Sequence, residues 1–198
     1  ELVGDASEAQ VAVVNTCGFI DSAKQEAIDS ILEMAALKQQ GLCGIVVTGC
    51  LAERYRQQIR QQMPEVDVVL GGGSVGDIVE AVRQAAQGKS FERYADIEKA
   101  PLGGDRLLTT PFYTAYLKLG DGCDNFCTYC AIPLIRGRLR SRPLEELVEE
   151  AQALAQSGVR ELVLVAQDTT RYGEDLYGEN RFCDLLRALE RVEGIAWI

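Results

Sequence analysis

Two hydrophobic periods alternate along the first ninety residues. Gln10-Val11-Ala12-Val13-Val14 is a short apolar run that reads as a buried strand, ending at Asn15-Thr16-Cys17-Gly18. Ser22 and Gln25 stand at capping-box spacing, and Ala27, Ile28, Ile31, Leu32 and Ala35 follow at helical spacing until Gly41. A second strand, Ile45-Val46-Val47-Thr48, ends at Gly49-Cys50, and a polar helix from about Ala52 to Gln62 is closed by Pro64. A third strand, Val66 to Leu70, runs into Gly71-Gly72-Gly73. Ser74 then stands where it would cap a helix whose apolar positions are Ile78, Val79 and Val82. Strand and helix in alternation predict a parallel sheet covered by helices.

From Lys89 to Pro111 the pattern lapses into Gly, Pro and charge, with turn chemistry at Gly103-Gly104-Asp105, and 89–110 reads as a linker. The alternation then restarts with a strand over Thr114 to Leu119 and a cysteine-rich loop. Pro143 opens a helix with Glu145 and Glu146 near its positive end and a stripe of Leu144, Leu147, Val148, Ala151, Leu154 and Ala155. Glu161 to Ala166 is the next strand. A helix with Phe182, Leu185, Leu186, Leu189 and Val192 inward follows it. The sequence stops as a further strand begins at Ile195, so a piece of a longer protein is expected.

Composition narrows the chemistry. The 198 residues, 47% hydrophobic and 25% charged, suit one or two soluble domains. No run approaches the roughly 20 apolar residues of a membrane span, and Glu1 to Asp5 do not read as a signal peptide. Histidine is absent, which excludes Ser-His-Asp and Cys-His hydrolases and His-ligated zinc. The net charge of −10 makes the chain a poor non-specific binder of nucleic acid and favours basic partners. Seven cysteines, an odd number without a secretory signature, point to the reducing cytoplasm, where thiols serve metals or catalysis.

Three of them form the set Cys123-Asp124-Asn125-Phe126-Cys127-Thr128-Tyr129-Cys130 just after a strand. Three thiolates in so short a loop can hold three irons of a cubane cluster, and no fourth cysteine stands near in sequence to close it. An open coordination position marks a metal that does chemistry rather than one that holds structure. Gly120 and Gly122 let the backbone approach the cluster, and Tyr129 is placed to stack on a bound base. A zinc knot fits the spacing poorly, because zinc takes C-x2-C pairs and four ligands. An iron–sulfur electron-transfer module without catalysis also fits the thiols.

This loop resembles that of the radical S-adenosylmethionine (radical SAM) superfamily, in which the open iron chelates the cofactor. Cys17 and Cys50 lie at the carboxyl ends of neighbouring predicted strands, where ligands gather in open α/β sheets; by position alone they fit a ligand role and a buried core thiol equally. Their surroundings, Val14-Asn15-Thr16-Cys17-Gly18-Phe19-Ile20-Asp21-Ser22-Ala23-Lys24 and Thr48-Gly49-Cys50-Leu51-Ala52, are similar to the amino-terminal domain of the methylthiotransferases. Ala131-Ile132-Pro133-Leu134-Ile135-Arg136-Gly137 and Gln167-Asp168-Thr169-Thr170-Arg171-Tyr172-Gly173 resemble the branch of that family that modifies a ribosomal protein.

The resemblance implies two α/β domains: a small, doubly wound parallel amino-terminal domain over 1–88, and the first βα units of an incomplete radical SAM barrel over 111–198. It implies S-adenosylmethionine as cofactor and two 4Fe-4S clusters in the full-length protein. One would sit on Cys123, Cys127 and Cys130. The other would take Cys17 and Cys50 with a third cysteine that would precede residue 1; Cys43 and Cys183 are read as free thiols. The implied reaction is methylthiolation of an aspartate β-carbon in small-subunit ribosomal protein S-twelve, with an external electron donor and sulfur source and no direct nucleic-acid contact. The nearest alternative is the tRNA adenosine methylthiotransferase of the same family.

Further candidates stay open. Tyr129, Gln167, Asp168 and Arg136 are candidate cofactor contacts, although Asp168 can equally cap its own loop. Arg136, Arg138, Arg140 and Arg142 form either a solvated basic loop or a guanidinium that faces an anion near the cluster. Gly71-Gly72-Gly73-Ser74 suits a tight strand-to-helix turn better than a phosphate cradle, since the Walker lysine is missing.

Overall fold

The computed structural model describes residues 2–104 and 106–198; Glu1 and Asp105, the latter part of the expected Gly103-Gly104-Asp105 turn, lie outside the described residues. The chain forms two compact units, Glu1–Ala100 with Leu134–Arg136, and Pro101–Pro133 with Gly137–Ile198. Both are α/β, as expected.

The first unit carries a parallel sheet in the order β1 (Val11–Thr16), β2 (Gly44–Gly49), β3 (Val68–Leu70), β4 (Phe91–Arg93). Its helices are α1 (Asp21–Leu37), α2 (Cys50–Arg54), α3 (Arg56–Gln62) and α4 (Ile78–Ala86). Because side chains alternate along a strand, the sheet buries two faces. Ile45, Val47 and Val69 pack with Ala27 and Ile31 of α1, Leu51 and Ala52 of α2 and Ile59 of α3. Val46, Val68 and Leu70 pack on the other side against Ala81 and Ala85 of α4. β2, covered on both faces, is a continuous apolar run for that reason.

Four local expectations differ from the structure. The expected capping box does not form: α1 begins at Asp21 after Ile20 with no side-chain cap, which places Ser22 inside the helix, and Gln25 bonds Asp29 instead. The single polar helix is two, broken at Tyr55, whose φ of −118° and ψ of 37° leave the helical region. Ser74 caps nothing; it is buried in the 3₁₀ turn Gly72–Asp77, where its hydroxyl accepts the Ala95 amide at 2.8 Å. Residues 91–100, expected in the linker, fold with the first unit, and β4 pairs with β3 from Val68↔Phe91 to Leu70↔Arg93. As an edge strand exposing Glu92 and Arg93, β4 lacks the apolar run by which an inner strand is recognised.

In the second unit β5 (Thr114–Lys118) pairs in parallel with β8 (Glu161–Val165), and Trp197 makes an isolated parallel bridge to Glu161. The short β6 (Gly120–Asp121) and β7 (Arg140–Ser141) are antiparallel. The helices are α5 (Ile132–Arg136), whose last three residues fold with the first unit, α6 (Leu144–Gln156), α7 (Glu174–Tyr177) and α8 (Phe182–Glu190). Ala115, Leu117 and Leu162 form the core with Leu147, Ala151 and Leu154 of α6 and with Leu185 and Leu189 of α8. Among the described residues no helix is long and apolar enough to cross a membrane.

Candidate metal centre and cofactor site

The three-cysteine loop leaves β6 through Gly122 and lies between the paired strands β6 and β7. Gly122 has φ +78°, and a Cβ there would overlap the Arg138 carbonyl, so only glycine fits. The Cys123 amide donates to the Gly137 carbonyl at 3.2 Å, and Asp124 Oδ1 accepts the Leu139 amide at 3.2 Å. A turn closed by the Cys130 amide on the Cys127 carbonyl, 2.9 Å, carries the last two thiols. Cys123 and Cys130 are half-buried, Cys127 is exposed, and all three are free.

Among the described residues no three Cys, Asp or Glu side chains converge as a ready metal site. The donor set nonetheless fits an iron–sulfur cluster. It consists of three reduced thiols on one exposed loop, and Cys183, the other cysteine of this unit, stands exposed on α8.

The loop is held by residues whose pairing the sequence does not reveal. Asn125 donates Nδ2 to Asp168 Oδ2 at 2.9 Å and accepts at Oδ1 from Arg171 Nη1 at 2.8 Å. Arg171 is itself aimed by Glu174, 2.7 Å from Nε. Asp168 caps the 3₁₀ turn Thr169–Arg171, accepting from the Thr170 hydroxyl and amide. The side-chain bonds from Thr170 and Asn125 hold its carboxyl below the usual carboxylate range. Loop capping is therefore one of the two expected roles that Asp168 fills. Gln167 is exposed, and Tyr129 is 87% exposed.

The arginines divide. Arg142 is buried, 2.6 Å from Glu150 and 3.1 Å from the Lys118 carbonyl, which makes it a structural residue. Arg138 is exposed. Arg136, in the first unit, donates to Cys50 Sγ at 3.3 Å.

Cys17 and Cys50 follow directly on the paired ends Thr16↔Gly49 of β1 and β2. Thr16 Oγ1 donates to the Thr48 carbonyl at 2.6 Å, and Arg54 Nη1 to the Gly18 carbonyl at 2.9 Å. Gly49 has φ +96°, and a Cβ there would overlap the Thr16 carbonyl. Glu53, buried and paired with Arg56, accepts the Gly72 amide at 2.9 Å and ties α2 to the end of β3. A crevice of about 300 Å³ opens beside Cys50, lined by Asn15, Thr48, Glu53 and Gly72. Cys43 stands at the opposite end of β2, exposed. The three glycines of 71–73 serve a close turn: Cβ atoms on Gly71 and Gly73 would strike Tyr94 and Ala95.

Residues 1–71 match the model of the uncharacterized protein family UPF0004, and residues 117–196 that of the radical SAM superfamily. The whole chain aligns with proteins described as ribosomal protein uS12 methylthiotransferase RimO. It is 50% identical to that of Desulforamulus reducens, 48% to that of Clostridium tetani and 48% to that of Clostridioides difficile. In each case the chain spans 45% of the relative's length. Both domain matches thus lie in one stretch, and from end to end the chain is similar to proteins described as ribosomal protein uS12 methylthiotransferases.

Proposed function

We propose that the protein to which this chain belongs adds a methylthio group to an aspartate β-carbon of ribosomal protein uS12 (protein S-twelve of the small subunit). The observation that carries the reading is the C-x3-C-x2-C loop just after β6, with no fourth cysteine near it in sequence. The names and 46–50% identities of the relatives support the substrate, and the acidic charge of −10 suits a basic protein partner better than bare tRNA.

Cys123, Cys127 and Cys130 would bind three irons of one 4Fe-4S cluster as thiolates. Cys17 and Cys50 would supply two ligands of a second. The chemistry such a centre supplies when bound is one-electron cleavage of S-adenosylmethionine, which gives access to an unactivated C–H bond that acid–base side chains cannot attack. The residues of this chain bind and orient. Gly122 brings the loop backbone close to that of Gly137 and Arg138, Asn125 and Arg171 fix the loop, and Asp168 keeps an ionised carboxylate at its rim. Tyr129, Gln167 and Asp168 are the proposed cofactor contacts; Arg136, expected with them, donates to Cys50 in the first unit instead. An external reductant and sulfur source and a cytoplasmic setting complete the reading.

The test is an assay of the full-length enzyme, reduced anaerobically with S-adenosylmethionine, on ribosomes and on tRNA, read by mass spectrometry. Methylthio-aspartate in uS12 is the expected product. Modified adenosine with untouched uS12 would move the assignment to tRNA.

A further inference from the structure

We propose that Asn125 is the positioning residue of the three-cysteine loop, its amide locking the loop to the β8–α7 connection through Asp168 and Arg171. The inference rests on the cluster assignment proposed above, yet its geometry is independent of it. The Asn125 amide sits between a carboxylate and a guanidinium, giving hydrogen to the first at 2.9 Å and taking it from the second at 2.8 Å. Both bonds are charge-assisted, and together they admit only one orientation of the amide. The partners are themselves held, Asp168 by Thr170 and Arg171 by Glu174. The next residue, Phe126, has φ +46° and is the only non-glycine with positive φ among the described residues. A conformation of that kind persists where its surroundings over-determine it. Here the Asn125 clamp holds one side and the Cys127–Cys130 turn the other. The clamp lies between the first and second thiols, so it sets their separation.

Three variants of the full chain test this: Asn125→Ala, Asn125→Asp and the exchange Asn125→Asp with Asp168→Asn. The single aspartate variant puts two carboxylates face to face. The exchange restores a donor–acceptor pair and leaves Arg171 a carboxylate to bond. Two readouts are taken: alkylation rates of each cysteine in the metal-free reduced chain, and iron, sulfide and electron paramagnetic resonance after anaerobic reconstitution. Either single variant should speed alkylation at Cys123 and Cys127 about three- to tenfold: Asn125→Ala loses both charge-assisted bonds, and Asn125→Asp loses the one to Asp168 and sets two carboxylates together. As a control, amide hydrogen exchange of the same unit's core at Ala115, Leu117 and Leu162 should stay unchanged and thereby exclude general unfolding. Bound iron should fall in both single variants, and the exchange should restore both readouts. Unchanged alkylation in the single variants, or an exchange no better than Asn125→Asp alone, overturns the proposal. A wild-type chain that takes up no iron would instead overturn the cluster assignment, while alkylation still decides the role of Asn125.

Discussion

Gly18 lies with its backbone against that of Cys50: a Cβ on residue 18 would come to 2.8 Å from the Cys50 carbonyl carbon and oxygen and from the Leu51 amide nitrogen. The two turns that carry Cys17 and Cys50 therefore meet by backbone contact, and the meeting depends on a missing methyl group. Gly18→Ala should destabilise the first unit by about 1–3 kcal/mol, the usual cost of overpacking a closed contact. It should also separate the two thiols. Urea unfolding and the rate of Cys17–Cys50 cross-linking by a short bis-maleimide check this; wild-type values for both would show that the turns yield freely.

Gly122→Ala strains a residue at φ +78° and drives a methyl group into the Arg138 carbonyl. Its expected cost is roughly 2–4 kcal/mol, combining left-handed backbone strain with overpacking. Iron uptake at the Cys123 loop should fall, while the core of Ile45, Val47 and Ile59 is unaffected. Hydrogen exchange resolved by segment measures both, and equal loss of protection in the two units would contradict the local account.

Arg142 and Arg138 belong to one basic run and should behave differently. Removing Arg142 leaves Glu150 a partly buried acid without one of its partners, so Arg142→Ala should cost about 2–4 kcal/mol. The exposed Arg138→Ala should fall within about 0.5 kcal/mol of wild type. Chemical denaturation of the two variants separates a structural from a solvated arginine.

The carboxyl of Asp168 titrates below its unfolded value, chiefly because the Thr170 side chain and then Asn125 donate to it. A depressed acid stabilises the folded loop at pH above its unfolded value of about 3.9. That contribution is lost as pH falls through the lower, folded value. Carbon-13 titration of the Asp168 carboxyl should show a midpoint below that of free aspartate, moving upward in Thr170→Val. A midpoint at the free value in wild type would contradict the hydrogen bonding described.

What was readable in advance follows from what leaves a mark in sequence. Val46-Val47 and the Leu147–Ala151–Leu154 stripe bury whole faces, so their periods announce β2 and α6. The cysteine spacing announces its chemistry because three thiols within one loop have few uses. β4 was not legible, since an edge strand with two charged residues exposes most of its surface. Ser74 looked like a cap, yet its hydroxyl is taken by Ala95, a partner 21 positions away that local pattern cannot supply. Asn125 and Arg171 escaped for the same reason. A polar side chain in a loop gives no period, and its partners are chosen by the tertiary fold. A signal was present only in retrospect, in an amide set between two thiols and an Asp and an Arg flanking a Thr-Thr pair.

The central claim is that Cys123, Cys127 and Cys130 together hold a cluster whose remaining iron accepts S-adenosylmethionine. Electron paramagnetic resonance of the anaerobically reconstituted, reduced protein, recorded before and after addition of the cofactor, tests it most directly. The expected result is a cluster signal that changes on addition of S-adenosylmethionine, with this cofactor-sensitive signal lost when the three cysteines are replaced by alanine, whatever signal a cluster on Cys17 and Cys50 retains. No cofactor-sensitive signal at all, or one that survives the triple replacement, would contradict it.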